Sequence, residues 1–266
     1  MSSGVALAAA VVGVPMPNDA PLTVIGSFVS PYVRKVLAAL ELKRITYAVD
    51  PITPFFGNDE FEKLSPLRRI PVLIDGDAVI NDSSIICFYL DETRGGHLLY
   101  PADPTARARA RWIEEYADSR LGELTIWNLF YQRVVRRMVW NEQPDEQRVA
   151  NAIDNGLPKA LGQLESMLPK EGWLFGEIGV ADIAVASFFQ NAAYAGYSIE
   201  PERWPIAAAF VDRTLAHPVL QKLGAWEAIQ MSATISGRRQ ALIEAGAPLT
   251  ETTWAERAPR RGVMAL

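Results

Sequence analysis

Leu22-Thr23-Val24-Ile25-Gly26, followed closely by Ser30-Pro31-Tyr32-Val33-Arg34-Lys35-Val36, is the stretch whose reading decides the fold. Leu22 to Gly26 is a short β-branched apolar run of the kind that forms a buried strand. Ser30 and Pro31 then read as a helix start. A hydroxyl at the N-cap accepts from an otherwise unpaired backbone N–H, and proline suits the first helical position because its missing N–H would have no partner there. Val33, Val36, Leu37 and Leu40 recur at helical spacing and predict a core-facing stripe. Ile45 to Val49 predicts a second strand.

Outward from this unit, Asp50 to Leu67 reads as irregular, punctuated by Pro51, Pro54, Gly57 and Pro66. Ile70-Pro71-Val72-Leu73-Ile74 is an apolar strand, Asp75-Gly76-Asp77 a hairpin signal, and Val79-Ile80 its partner strand. Asp82-Ser83-Ser84 caps another helix. A β-α-β unit followed by a β-hairpin and a helix is a thioredoxin-like layout. The glycines and prolines of Gly95 to Pro104 mark a linker, and after Thr105 the pattern is almost wholly helical, with clear helices over Asn151 to Leu168 and Val180 to Ala193. The predicted organisation is therefore a mobile N-terminal extension (1–20), a thioredoxin-like domain (21–97), a linker (98–105), an all-helical domain (106–232) and a C-terminal extension (233–266), an α/β unit followed by an all-α one.

Composition narrows the function classes. The 266 residues carry 26 basic and 31 acidic side chains, a net charge of −5, which gives no sign of a nucleic-acid surface. A single cysteine, Cys87, forbids an intrachain disulfide and fits a reducing compartment, so a cytoplasmic location is expected. Val5 to Val14 is apolar but has no basic leader in Met1 to Gly4, and it falls far short of the roughly 20 residues needed to span a bilayer. No membrane association is expected. His97 and His217 stand alone, without a cluster at metal-ligand spacing, so no metal is expected either. Cys87 lies in an apolar helix and reads as core.

The chemistry-bearing feature is a hydroxyl at a helix N-terminus. Free backbone N–H groups and the helix dipole favour negative charge there. A docked thiol with a pKa near 8.5 would gain from both, and lowering that pKa by about two units, worth roughly 2.7 kcal/mol, would ionise most of it at neutral pH. Taken alone, Ser30 reads first as a simple helix cap, because that is what a serine before a helix usually is.

The three segments Ser30-Pro31-Tyr32-Val33-Arg34-Lys35-Val36, Arg69-Ile70-Pro71-Val72-Leu73 and Asp82-Ser83-Ser84-Ile85-Ile86 together resemble the cytosolic glutathione transferases of the serine type, such as tau, theta and zeta. Phe175-Gly176-Glu177 with Val180-Ala181-Asp182-Ile183-Ala184 is similar to the capping motif of that family's helical domain. Glycine at position 179 replaces the usual Ser or Thr cap. The resemblance, over about residues 22–230, implies glutathione as co-substrate and Ser30 as the residue that stabilises its thiolate, with Ser27 as rival. It implies that Pro71 is cis and turns the Ile70 backbone toward the cysteinyl part of glutathione. Asp82 and Ser83 would take the γ-glutamyl end, with Asp shorter than the family's usual Glu or Gln, and Arg69 the glycine carboxylate. Glutaredoxins have cysteines where this chain has Ser30 and Val33, so a dithiol mechanism is excluded. Tyr32 falls inside the helix and is not expected to replace Ser30.

The implied reaction is conjugation of glutathione to a small, electrophilic, largely apolar substrate. Phe28, Val29, Tyr116, Arg120 and Trp127 are the expected pocket residues, with interdomain core as their other reading. A homodimer is implied by the family. A non-catalytic binding protein, or a glutathione-dependent lyase, isomerase or peroxidase, fits the same residues.

Overall fold

The structure, a computed structural model, describes residues 21–234 and 237–261. The extension expected at 1–20 lies outside the described residues. Four strands form one mixed sheet in the order β2-β1-β3-β4: β1 (Leu22–Ile25), β2 (Tyr47–Asp50), β3 (Val72–Asp75) and β4 (Ala78–Asn81). β1 runs parallel to β2 and antiparallel to β3, and β3 antiparallel to β4. Helix α1 (Pro31–Lys43) crosses between β1 and β2, and α3 (Ser83–Thr93) follows the hairpin. The thioredoxin-like domain followed by a helical domain is thus present as the sequence predicts.

Between Asp50 and Leu67 the chain is more ordered than its punctuation suggests. A single 3-10 turn, Pro54–Phe56, precedes α2 (Asp59–Leu64), whose first turn is capped by Asn58 Oδ1 accepting from the Phe61 N–H at 2.9 Å. Six residues in which Phe61 alone is buried carry too little apolar period to be read as a helix.

Helix α1 is also buried more completely than a one-sided stripe implies. Arg34 and Lys35 are 2% and 1% exposed. Helix α3 takes one flank of α1, and the long α8 (Val180–Tyr194) and α10 (Pro218–Ser232) of the second domain take others. One apolar cluster, from Val33 and Leu37 through Ile183 and Phe188, joins the two domains.

The second domain opens with α4 (Pro104–Tyr116), which starts inside the stretch read as linker because Asp103 caps it, accepting from the Ala106 N–H. Its axis continues without a break through a π-wound stretch, Ala117–Val135, into α5 (Arg136–Trp140). The remaining helices are α6 (Glu146–Asn151), a π turn at Ala152–Gly156, α7 (Leu157–Met167), α8, α9 (Pro205–Leu215), α10 and α11 (Arg238–Glu244). No helix among the described residues is long and apolar enough to cross a membrane.

After α11 the chain returns to the first domain. The Val49 N–H donates to Pro248 C=O and the Thr250 N–H to Val49 C=O, extending the sheet beyond β2. Asp50 accepts from the Trp254 N–H at 2.8 Å and from the Thr253 hydroxyl. Trp254 C=O accepts from the Asn58 N–H, and the N–H groups of Glu256 and Arg260 reach the carbonyls of Phe56 and Phe55.

Candidate active site

Sheet register brings the expected site residues to one end of the sheet. Asp50, Ile25, Val72 and Asn81 form a single cross-strand row. The chain leaves β1 after Ile25 toward Ser30, enters β3 from Pro71, and leaves β4 after Asn81 toward Asp82 and Ser83. These segments lie far apart in sequence, and the row converges them.

Gly26 begins the turn after β1. A Cβ there would lie 2.5 Å from Val33 Cγ2, so only glycine lets the turn lie this close to α1. Ser30 caps α1 from an extended conformation (φ −71°, ψ 127°), its Oγ accepting from the Val33 N–H at 3.4 Å. That bond occupies a lone pair and leaves the hydroxyl hydrogen free to donate. Ser30 is partly exposed.

Ser27 is placed differently. It is 3% exposed, its hydroxyl donates to Gln230 Oε1 at 3.2 Å, and its oxygen accepts from the Val29 N–H. A hydroxyl whose hydrogen is already spent inside the core has none left to give a thiolate. Tyr32 donates to Asp118 C=O at 3.0 Å, and burial together with the nearby Asp118 carboxylate raises its pKa, so it stays a neutral, engaged phenol.

Across the row, the Ile70–Pro71 peptide is cis. Arg69 beside it is exposed, its backbone pinned on both sides by the Ser65 hydroxyl. Asp82 caps α3 through Oδ1, which accepts from the N–H groups of Ser84 and Ile85 at 2.9 and 3.2 Å. It holds φ 75° and ψ 132°, a conformation that costs a residue with a side chain about 1–3 kcal/mol. Ser83, 3% exposed, is the first residue of α3.

Beneath α3 lies an ion cluster that the sequence did not announce. Lys35 Nζ stands 2.5 Å from Asp118 Oδ2, 2.7 Å from Glu114 Oε1 and 3.1 Å from Ser84 Oγ. Ser84 donates to Asp118 Oδ2, and the Tyr100 hydroxyl donates to Glu114 Oε2. Burial works against the Lys35 ammonium, but the two carboxylates hold it charged and above the usual lysine range. One cation for two buried carboxylates leaves an acid surplus. Burial accordingly lifts Asp118 to about 6 against the opposing pull of Lys35. No pattern in the sequence links residues 35, 84, 114 and 118.

The five expected pocket residues separate. Phe28 is 2% exposed and packs on Trp226, with ring centroids 5.5 Å apart, and Val29 is buried beside it. Phe28 belongs to the interdomain core. The Tyr116 hydroxyl donates to Ala160 C=O and its ring stacks on Trp112, which turns it into the helical domain. Arg120 points outward, paired with Glu123 one turn along. Trp127 alone joins a chain of rings that reaches the first domain: Trp127 meets Tyr131 at 5.9 Å, and Tyr131 and Trp140 meet Phe55 at 6.3 and 5.4 Å. Phe55, Tyr131 and Trp140 carried no readable signal, because Phe55 stands in the stretch read as irregular.

Elsewhere, burial pushes the Cys87 thiol well up, which keeps it unreactive. His97 Nε2 meets Ile178 C=O, and His217 Nδ1 accepts from the Val219 N–H as a helix cap. No group of potential ligands among the described residues could hold a metal ion. Asp182 caps α8, its two oxygens accepting from the N–H groups of Leu174 and Gly179 at 2.9 Å each.

Residues 24–97 match the family model for the glutathione S-transferase N-terminal domain, and residues 146–213 that for the C-terminal domain. The chain belongs to the glutathione S-transferase family. Among curated relatives, a glutathione S-transferase of Triticum aestivum is 27% identical over 74% of this chain and 89% of its own length. The maleylacetoacetate isomerase of Pseudomonas aeruginosa is 26% identical over 71% of this chain and 88% of its own. In fold, the chain is similar to a glutathione S-transferase from Rhodospirillum rubrum, with a TM-score of 0.70 at 24% identity, covering 81% of this chain and 94% of that one. The glutathione S-transferase architecture, two domains meeting along α1, is therefore that of the present chain.

Proposed function

We propose that this chain binds glutathione at the end of its sheet, stabilises the thiolate with Ser30, and directs that thiolate at a small, largely apolar electrophile. The observation that carries this reading is the Ser30 cap: its oxygen is anchored by Val33 and its hydrogen remains to be donated. The cis Ile70–Pro71 turn would meet the cysteinyl backbone. Asp82, Ser83 and the N-terminus of α3 would meet the γ-glutamyl end, with Arg69 at the glycine carboxylate. The sulfur attacks the electrophilic carbon, an S–C bond forms, and the leaving group departs with the bonding pair. Phe55, Trp127 and Tyr131 supply an apolar wall for such a substrate. A cytoplasmic homodimer accords with this reading.

A second reading is isomerisation, favoured by the similarity to the Pseudomonas isomerase. There the same thiolate adds to an unsaturated carbon and later leaves, so that glutathione is regenerated. Retention on glutathione resin, together with turnover of an aryl halide and of a cis-dienoic acid by wild type and Ser30→Ala, tests both. Aryl conjugation lost in Ser30→Ala supports transfer, and turnover of the dienoic acid alone supports isomerisation. Retention without turnover leaves a binding protein, and no retention by wild type ends both glutathione readings.

A further inference from the structure

The turn that carries Ser30 is held from outside its own domain. Asn191 on α8 is 1% exposed and donates its Nδ2–H to Val29 C=O at 2.9 Å, the carbonyl immediately ahead of Ser30. The Asn191 oxygen is taken by Arg34 Nη1 at 3.2 Å, and the same nitrogen donates to Ser187 C=O. Arg34 is in turn held by Glu227 of α10, with Nε–Oε2 at 2.9 Å and Nη2–Oε1 at 2.5 Å. On the other flank Gln230, one turn along α10, accepts from the Ser27 hydroxyl and donates to Pro51 C=O. Ser30 itself donates its N–H to Ser27 C=O at 3.0 Å. Ser27 and Val29, both just ahead of the Ser30 cap, are thus tied to buried amides of the helical domain, and each amide has its donor and its acceptor used.

Resting on the reading of Ser30 as thiolate partner, we propose that Asn191 is a positioning residue for that serine, with Gln230 as its counterpart. Asn191 fixes the Val29–Ser30 peptide plane. That plane sets the direction of the Ser30 side chain and hence the aim of its hydroxyl at the thiolate. Asn191 touches no substrate atom, and its effect passes entirely through the backbone. Losing it frees the turn while Phe28 and Val29 remain packed.

The test is the ultraviolet absorbance of enzyme-bound glutathione thiolate, titrated against pH for wild type, Ser30→Ala, Asn191→Leu and the double variant. Asn191→Leu keeps the shape and removes the donor to Val29 together with one acceptor of Arg34, whose Nη1 keeps Ser187 C=O. It is expected to raise the apparent thiol pKa by about one unit, about tenfold less thiolate on the acid side of the midpoint, with retention on glutathione resin kept. Combined with Ser30→Ala it is expected to add no further shift, because both changes act through one hydroxyl. A thiol pKa at the wild-type value in Asn191→Leu, accompanied only by a lower Tm, overturns the proposal. If Ser30→Ala matches wild type, or wild type binds no thiolate, the reading of Ser30 fails and the proposal with it. Should Asn191→Leu not fold, Gln230→Met decides by the same measurement: a raised thiol pKa sustains the proposal and an unmoved one overturns it.

Discussion

The ammonium of Lys35 lies 2.5 Å from the Asp118 carboxylate at 1% exposure, joining the second turn of α1 to the long helix of the other domain. Removing one partner of such a pair leaves the other charged and unsatisfied in the core. Lys35→Met is therefore expected to lower stability by about 3–5 kcal/mol, read from urea denaturation midpoints at constant slope.

The acid surplus in that cluster gives the protein a stability profile of unusual sign. Burial raises Asp118 to about 6 and, in the α8 cap, Asp182 also to about 6. Folded carboxyls with raised pKa hold protons that the unfolded chain releases, so their contribution is complete below about pH 4 and disappears as pH rises through about 6. Within that window Tm is expected to fall as pH rises, and Asp118→Asn is expected to flatten the slope. Thermal melts of wild type and variant between the two pH values check it, and a slope unchanged in Asp118→Asn would assign the dependence elsewhere.

Gly179 stands where the family usually has a hydroxyl cap, which invites Gly179→Ser as a stabilising change. A Cβ at that position would lie 2.8 Å from Leu99 C=O, a carbonyl already accepting from the Val180 N–H. The substitution is expected to lower Tm by a few degrees, because backbone must move to admit it. A raised Tm would show that the added cap outweighs the crowding.

Arg120 pairs with Glu123 at the surface. Arg120→Ala is expected to leave kcat and KM within about twofold across electrophiles of different charge, since exposed pairs of this kind contribute under about 1 kcal/mol. Trp127→Ala, by contrast, is expected to raise KM for apolar electrophiles and spare glutathione affinity. Steady-state kinetics with each substrate varied in turn separates the two.

The legibility of this fold in its sequence follows the range of the forces involved. Ser30-Pro31 and Asp82-Ser83 are local statements, where a cap and the helix it starts are a few residues apart, and their positions could be read directly; Asp103-Pro104 is as local, but the neighbouring Pro101 and glycines give it the look of a linker. Helix α2 was illegible because Phe61 alone is buried in it. The burial of Arg34 and Lys35 was illegible for a different reason: charged residues follow solvent in a sequence reading, and only the arrival of Glu227, Glu114 and Asp118 from distant helices makes their burial tolerable. Position along the chain leaves Phe28 and Val29 open between cleft and interdomain core; Phe28 lies in that core on Trp226, and Val29 is buried next to it in the chain.

The contacts that residues 248–260 make with β2 and the turn after it place pieces of the N-terminal domain beyond the helical domain in the chain. Val49 and Asp50 meet their partners only when Pro248, Thr253 and Trp254 have been made. During synthesis the thioredoxin-like unit leaves the ribosome with β2 as an open edge, its outward N–H and C=O groups unpaired while the helical domain follows. Completion of the first domain therefore waits on residues made after the helical domain, and until they arrive its sheet carries an edge ready to pair with another chain.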